Sequence, residues 1–486
     1  MKKICGREKE LKILQKILYS ENPEFLAVYG RRRIGKTYLI DRFFQDKGIY
    51  FHFTGVKGAS TKEHLKLFSF ALESRLVIDE KAPNIKTWIE GFNFLRKKIS
   101  KIDKNKKIII FFDELPWIDT PKSGFLKFLE HFWNDFFSRR PNSILIVCGS
   151  SAFWMIEKII HNKGGLHNRL TATIHLEAFN LGETEKFLNF KNIELNKKQI
   201  IDLYMVTGGV AQYLTYVERG QSVAQIIQNL CFKKNAPLMK EYHELFASLF
   251  DEHSEHLVII EALANKRSGL TQSEILKITK KSSGGSFSKI LEELKEAGFI
   301  DFIPAFNKKK KNGKFFLVDE YSFFYLIWLK DFSNSNFQPL MEDYWLVMQG
   351  TAKYAVWSGF AFETLCRTHL SQIIKALNLQ VVAINAVNWS YISKNNKDRG
   401  IQIDLIIDRR DGCMNICEIK FHNKELTFSF EDVKKIKYRR ENFREVSKTK
   451  KVLFNTLISI YGAKNNSNFQ EAFDNQVFID DLFNTF

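Results

Sequence analysis

The tightest constraint in this sequence is an apolar strand broken by a glycine-bounded loop and resumed as a helix. "FLAVYG" ends at Gly30, and Arg31, Arg32, Arg33 and Ile34 follow. Gly35, Lys36 and Thr37 then open "TYLIDRFF". The spacing G-x-x-x-x-G-K-[ST] is complete. A loop between a buried strand and a helix N-terminus turns its backbone N–H groups towards an anion, at the end of the helix where negative charge is favoured. In that arrangement Lys36 reaches the outer phosphates of a nucleoside triphosphate and Thr37 holds Mg²⁺. A strand followed by a helix also commits this part of the chain to a parallel α/β sheet.

A magnesium site needs a carboxylate from a second element. "KKIIIFFDELPWI" places Asp113 and Glu114 at the tip of an apolar strand. Asp113 is expected at the ion, and Glu114 is expected to take the proton of the attacking water. A third strand, "SILIVCGSS", ends at Ser150, a polar tip within reach of the γ-phosphate or the water. Arg169 precedes a further strand in "NRLTATIHL", where it serves either as a finger on a nucleotide or as an ordinary surface arginine.

The segments "CGREKELKIL", "GRRRIGKT", "IIIFFDELPWI", "CGSS", "NRLTATIHLEAF" and "VTGGVAQYL" occur in this order. Together they resemble the archaeal-type ATPase family, a branch of the AAA+ and STAND-like P-loop ATPases, over about the first 250 residues. The resemblance implies that Gly6 and Arg7 border the adenine pocket and that Gly208 and Gly209 lie in a small helical lid. It implies ATP and Mg²⁺ as cofactors.

Past residue 250 the pattern changes. Three short helices are expected, with Thr271 as an N-cap and the third helix beginning near Gly285. Two β segments joined by "NKKKKNGK" complete the outline of a winged helix, with Lys308, Lys309, Lys310 and Lys311 at the wing tip. Those lysines can meet DNA phosphates. A lysine run is also a common solvated turn, and winged helices also act as spacers between domains.

Near the C-terminus "IQIDLIIDRRDGCMNICEIK" reads as a hairpin. Asp404 stands inside an apolar strand, where a charge needs a partner. Glu418 and Lys420 are two residues apart and share a face. Glu363 on the preceding helix "WSGFAFETLCRTHL" adds a third carboxylate. The set resembles the PD-(D/E)xK nuclease superfamily, although no proline precedes Asp404. The resemblance implies that Asp404 and Glu418 bind Mg²⁺, that Lys420 positions the water, and that Glu363 orients the metal or its water. A cross-strand ion pair gives the same residues a plain structural role.

The expected architecture is therefore a P-loop core (1–180), a helical lid (181–250), a winged helix-turn-helix (251–335) and a restriction-endonuclease-like α/β domain (345–486). Net charge is +18. It suits a polyanionic partner such as DNA, or simply a lysine-rich solvated surface. No apolar run is long enough to cross a bilayer, and six scattered cysteines point to a reducing cytoplasm. Association into a homo-oligomer stays open. Two functions compete: a nucleic-acid-cutting ATPase, and a STAND-type signalling or scaffold ATPase whose C-terminal domain binds without cutting.

Overall fold

The computed structural model describes residues 4–76, 84–250, 252–307, 310–333, 343–391 and 401–484. The chain divides into two compact units, Met1–Ala178 and Phe179–Phe486.

The first unit is built on five parallel strands: β1 (Glu24–Tyr29), β2 (Ile49–Thr54), β3 (Ile108–Asp113), β4 (Ser143–Gly149) and β5 (Ala172–His175). Their order across the sheet is β2-β3-β4-β1-β5. The central strands are near-continuous apolar runs because both faces are covered. Successive side chains point to opposite faces, and the core divides accordingly. Phe25, Phe51, Phe53, Ile110, Phe112 and Val147 pack with Phe68, Trp88, Phe92 and Phe125 on one side. Leu26, Val28, Ile109, Phe111 and Ile146 pack with Leu39, Ile40 and Phe44 on the other. Each fully buried phenylalanine contributes roughly 1.5–3 kcal/mol. The parallel order aligns all five C-terminal strand ends on one edge, the edge where α/β sheets bind ligands.

The second unit opens with helices Leu181–Phe190, Lys197–Thr207 and Val223–Cys231. Asn180, Asn196 and Ser222 close capping boxes at their N-termini. At Gly209, φ is +64°, and an added Cβ would lie 2.0 Å from the Phe179 carbonyl oxygen, so only glycine fits. Helices Ser254–Asn265, Gln272–Thr279 and Gly285–Glu296 follow, the second capped by Thr271. An antiparallel hairpin comes next, β6 (Ile300–Ile303) with β7 (Lys314–Leu317). Lys308 and Lys309 lie outside the described residues, and only the backbone of Lys310 is described. Lys311 is exposed.

The C-terminal sheet comprises β8 (Ala383–Tyr391), β9 (Ile401–Arg409), β10 (Cys413–Lys420), β11 (Val452–Ser459) and β12 (Asn475–Val477). The order is β12-β11-β10-β9-β8, antiparallel across β8, β9 and β10 and parallel across β10, β11 and β12. Helix Phe430–Ser447 supplies the crossover that a parallel β10–β11 pair requires. Phe306, from the β6–β7 connection, joins Val387, Trp389, Ile403 and Phe443 in one core. The β6–β7 hairpin and the C-terminal sheet are therefore packed together within this unit. Among the described residues no helix is long and apolar enough to cross a membrane.

Candidate functional site

The Gly30–Thr37 loop joins β1 to helix Lys36–Phe44. Its backbone leaves the ordinary regions at three places: Gly30 (φ +140°), Arg33 (+72°) and Gly35 (+96°). At Gly30 a Cβ would lie 2.1 Å from the Leu176 carbonyl oxygen, so the first glycine of the motif is required by packing as well as by torsion. Arg7 is buried, and its Nη2 donates to the Ile34 carbonyl at 3.1 Å. Gly6 and Arg7 both adopt a φ of +66°. The N-terminal "GRE" segment thus braces the loop from behind. Arg32 lies over the Trp117 ring at 5.7 Å.

Strand order explains the chemistry at the loop. Because β4 lies between β1 and β3, the residue at its tip stands between the lysine of the loop and the acids of β3. That residue is Ser150. The Lys36 Nζ donates to the Gly30 and Arg31 carbonyls at 2.9 Å each and to Ser150 Oγ at 3.0 Å. The Ser150 hydroxyl in turn donates to Glu114 Oε1, and its backbone N–H donates to Glu114 Oε2 at 3.1 Å. The Thr37 hydroxyl donates to Asp113 Oδ2 at 2.7 Å. Glu114 itself has a φ of +49°, so its side chain is turned out at the strand tip by an uncommon backbone conformation. Arg169 is exposed on the turn before β5.

Thr37 and Asp113 form a set of hard oxygen donors, and Mg²⁺ is commonly held by one or two carboxylates together with substrate phosphates. The loop residues therefore fit both a triphosphate and its ion. Residues 5–217 match the family model of an ATPase domain predominantly from Archaea.

The N-terminal part of this chain is an archaeal-type ATPase domain.

An uncharacterized protein of Methanocaldococcus jannaschii is 26% identical over 436 residues, 88% of this chain and 89% of that protein. Among solved structures, a Walker-type ATPase of Pyrococcus abyssi superposes with a TM-score of 0.48 at 17% identity, over 66% of this chain and 96% of its own. The ORC2 protein of Aeropyrum pernix, in its ADPNP–ADP complexes, gives 0.43 at 14% identity, over 68% and 94%.

The second unit brings together the carboxylates read from the C-terminal hairpin. β9 and β10 pair antiparallel from Asp408 with Met414 to Leu405 with Cys417, and Asp404 and Glu418 are the next residues along each strand. Asp404 Oδ2 accepts the Ile419 N–H at 3.1 Å. Glu418 is buried, and both of its oxygens are engaged, by Lys420 Nζ at 2.8 Å and by Arg439 Nη1. Glu363 is held by Arg367 at 3.4 Å, and Arg367 also donates to the Asp404 carbonyl at 3.3 Å. Burial, and then the charge of Asp404, push the Glu363 carboxyl up to about 7, against the pull of Arg367 and Lys420. Among the described residues no group of three or more His, Cys, Asp or Glu side chains is placed to hold a metal. The Asp404 and Glu418 carboxylates suit Mg²⁺ chemically, but an ion there must compete with Lys420 and Arg439 for Glu418.

Sequence reasoning overlooked Arg367, Arg439, His52 and Asp41. Arg367 was open to discovery, since it stands four residues after Glu363 on one helix. His52 also left a trace, as a lone imidazole in the aromatic strand "IYFHFT". Nothing in the basic helix Phe430–Ser447 marks Arg439 over its neighbours.

Proposed function

We propose that the chain is a Mg²⁺-dependent ATP hydrolase whose nucleotide state controls a C-terminal half acting on nucleic acid. The observation that carries the ATPase reading is the bonded series Lys36–Ser150–Glu114 beside the 2.7 Å contact of Thr37 with Asp113. When nucleotide enters, Lys36 exchanges its loop carbonyls for phosphate oxygens, and the loop N–H groups surround the same anion. Thr37 and Asp113 hold Mg²⁺, which shields the phosphate charge. Glu114 takes the proton of the attacking water, and Ser150 fixes its carboxylate. Arg31, Arg32, Arg33 and Ile34 form the loop wall, Gly6 and Arg7 border the base, and Arg169 reaches a phosphate from outside the loop.

In the second unit we read 251–335 as a winged helix, with the helix Gly285–Glu296 and the lysines 308–311 towards DNA. We read 345–486 as a PD-(D/E)xK-type nuclease domain. The support is the order of helices and hairpin, and the antiparallel pair β9–β10 that carries Asp404, Glu418 and Lys420, the last bonded to Glu418. On this reading Asp404 and Glu418 hold Mg²⁺, Lys420 positions the water, and Glu363 orients the ion or its water. Six free cysteines agree with a reducing cytoplasm.

The test is cleavage of linear, circular, single-stranded and branched DNA in Mg²⁺ or Mn²⁺, with and without ATP. Asp404→Ala should abolish cutting and metal binding while leaving ATP hydrolysis intact. Lys420→Ala should keep the metal and lose rate, and Glu363→Ala should give a milder defect. One observation favours a second reading, a switch that binds without cutting: two cations already neutralise Glu418. Absence of cutting in every nucleotide state, with Asp404→Ala behaving like the parent in cells, would establish that reading.

A further inference from the structure

His52 has no part in the phosphate motif, yet the fold places it between the helix that carries Thr37 and the strand that carries Asp113. It projects from β2, the strand that pairs with β3. Its ring lies on Phe111 at 4.5 Å and is almost wholly buried. Its Nδ1 is 3.1 Å from Asp41 Oδ1. Asp41 stands on the helix Lys36–Phe44, one turn beyond Thr37, and also accepts the Tyr50 hydroxyl at 2.6 Å. The other edge of the ring meets Thr54 Oγ1 at 2.9 Å and faces Asp113 Oδ2 at 4.0 Å. One side chain thus spans the helix that carries Thr37 and the strand that carries Asp113. Burial pushes the Asp41 carboxyl up, but hydrogen bonds from His52 and Tyr50 outweigh it and hold it below the usual range. Asp41 is accordingly an anion that receives the Nδ1–H. Groups that stand behind a metal's ligands fix the orientation of those ligands, and the Asp41–His52 pair stands in that place behind the Thr37 helix and Asp113.

We infer that His52 is a positioning residue for the magnesium set: anchored by Asp41, it holds the Thr37 helix and Asp113 in register. It thereby sets the affinity of the site for the divalent ion and leaves the affinity for the phosphates untouched. Asp41 is the second member of the device, although it stands away from the loop and from the acids of β3. The inference rests on the assignment of Asp113 to the ion.

The test measures nucleotide binding by calorimetry on the full chain, once in EDTA and once across a Mg²⁺ titration, for the parent, His52→Phe, Asp41→Asn and Asp113→Asn. His52→Phe keeps an aromatic ring on Phe111 and removes both nitrogens. Its Mg²⁺ midpoint should rise about tenfold to a hundredfold, the range for removing outer partners of a metal. Binding in EDTA should equal that of the parent, which also shows that the variant is folded. Asp41→Asn should move the midpoint in the same direction. An unmoved midpoint in His52→Phe beside a raised one in Asp113→Asn overturns the role of His52 alone. An equal loss in EDTA and in Mg²⁺ also overturns it, because the residue then only supports the fold. An unmoved midpoint in Asp113→Asn overturns the metal assignment and this inference with it.

Discussion

His369 gives the second unit a defined acid limit. The ring is fully buried at the end of helix Ala352–Thr368. Its Nδ1–H donates to the Leu365 carbonyl at 3.0 Å, and its Nε2 accepts the Leu181 N–H at 3.0 Å. The Leu181 N–H belongs to the first turn of helix Leu181–Phe190, so the imidazole serves as a cap for a helix 188 residues away. A proton on Nε2 would face that N–H, donor against donor, in a buried site. Burial accordingly lowers the imidazole from 6.5 to about 4. The unfolded chain takes the proton more readily than the folded one. Stability from this residue is therefore full above about pH 6.5 and is lost as pH falls towards 4. At about 1.4 kcal/mol per tenfold, the loss is on the order of 3 kcal/mol. His369→Gln keeps an oxygen for the Leu181 N–H and removes the titration. Urea denaturation from pH 7.5 to 4, followed by tryptophan fluorescence, should show the parent losing roughly that much more stability than His369→Gln. Parallel curves for the two proteins would refute the reasoning.

Two further outcomes can be measured, one from the Ser150–Glu114 contact and one from the lysine run. Ser150→Ala removes one of the two bonds that hold Glu114, while the Ser150 N–H remains; turnover should fall about tenfold, the factor for one hydrogen bond of about 1.4 kcal/mol, with nucleotide binding retained in calorimetry. Replacing Lys308, Lys309, Lys310 and Lys311 with serine should weaken DNA binding and lower the log–log salt slope by about 0.9 for each phosphate that a lysine no longer neutralises; an unchanged slope would place the DNA path elsewhere.

The parts of the sites that could be read from sequence are those fixed by short-range rules. The loop from Gly30 to Thr37 is one, because strand, torsion and helix N-terminus are all local. The antiparallel hairpin of β9 and β10 is another, because a tight turn at 410–412 sets hairpin register by counting. The contact of Ser150 with Glu114 was not readable, since it depends on β4 lying between β1 and β3, and strand order is decided by the packing of the whole sheet. The capture of Glu418 by Arg439 depends likewise on how the crossover helix returns over β10. His52 was hidden for a related reason: a polar residue in an apolar strand shows that it needs a partner without showing which.

If Lys36, Thr37, Asp113 and Glu114 form one ATP-hydrolysing centre, as proposed, substitutions within it separate binding from turnover. The most direct measurement compares ATP binding by calorimetry with phosphate release for the parent, Lys36→Ala and Glu114→Gln. Lys36 is the cation that the loop itself supplies to the outer phosphates, so Lys36→Ala should lose binding and turnover together. Glu114→Gln should bind ATP as the parent does and turn over roughly 10²-fold more slowly or worse, the range for loss of a positioned base. Undiminished ATP binding by Lys36→Ala would contradict the account at its foundation.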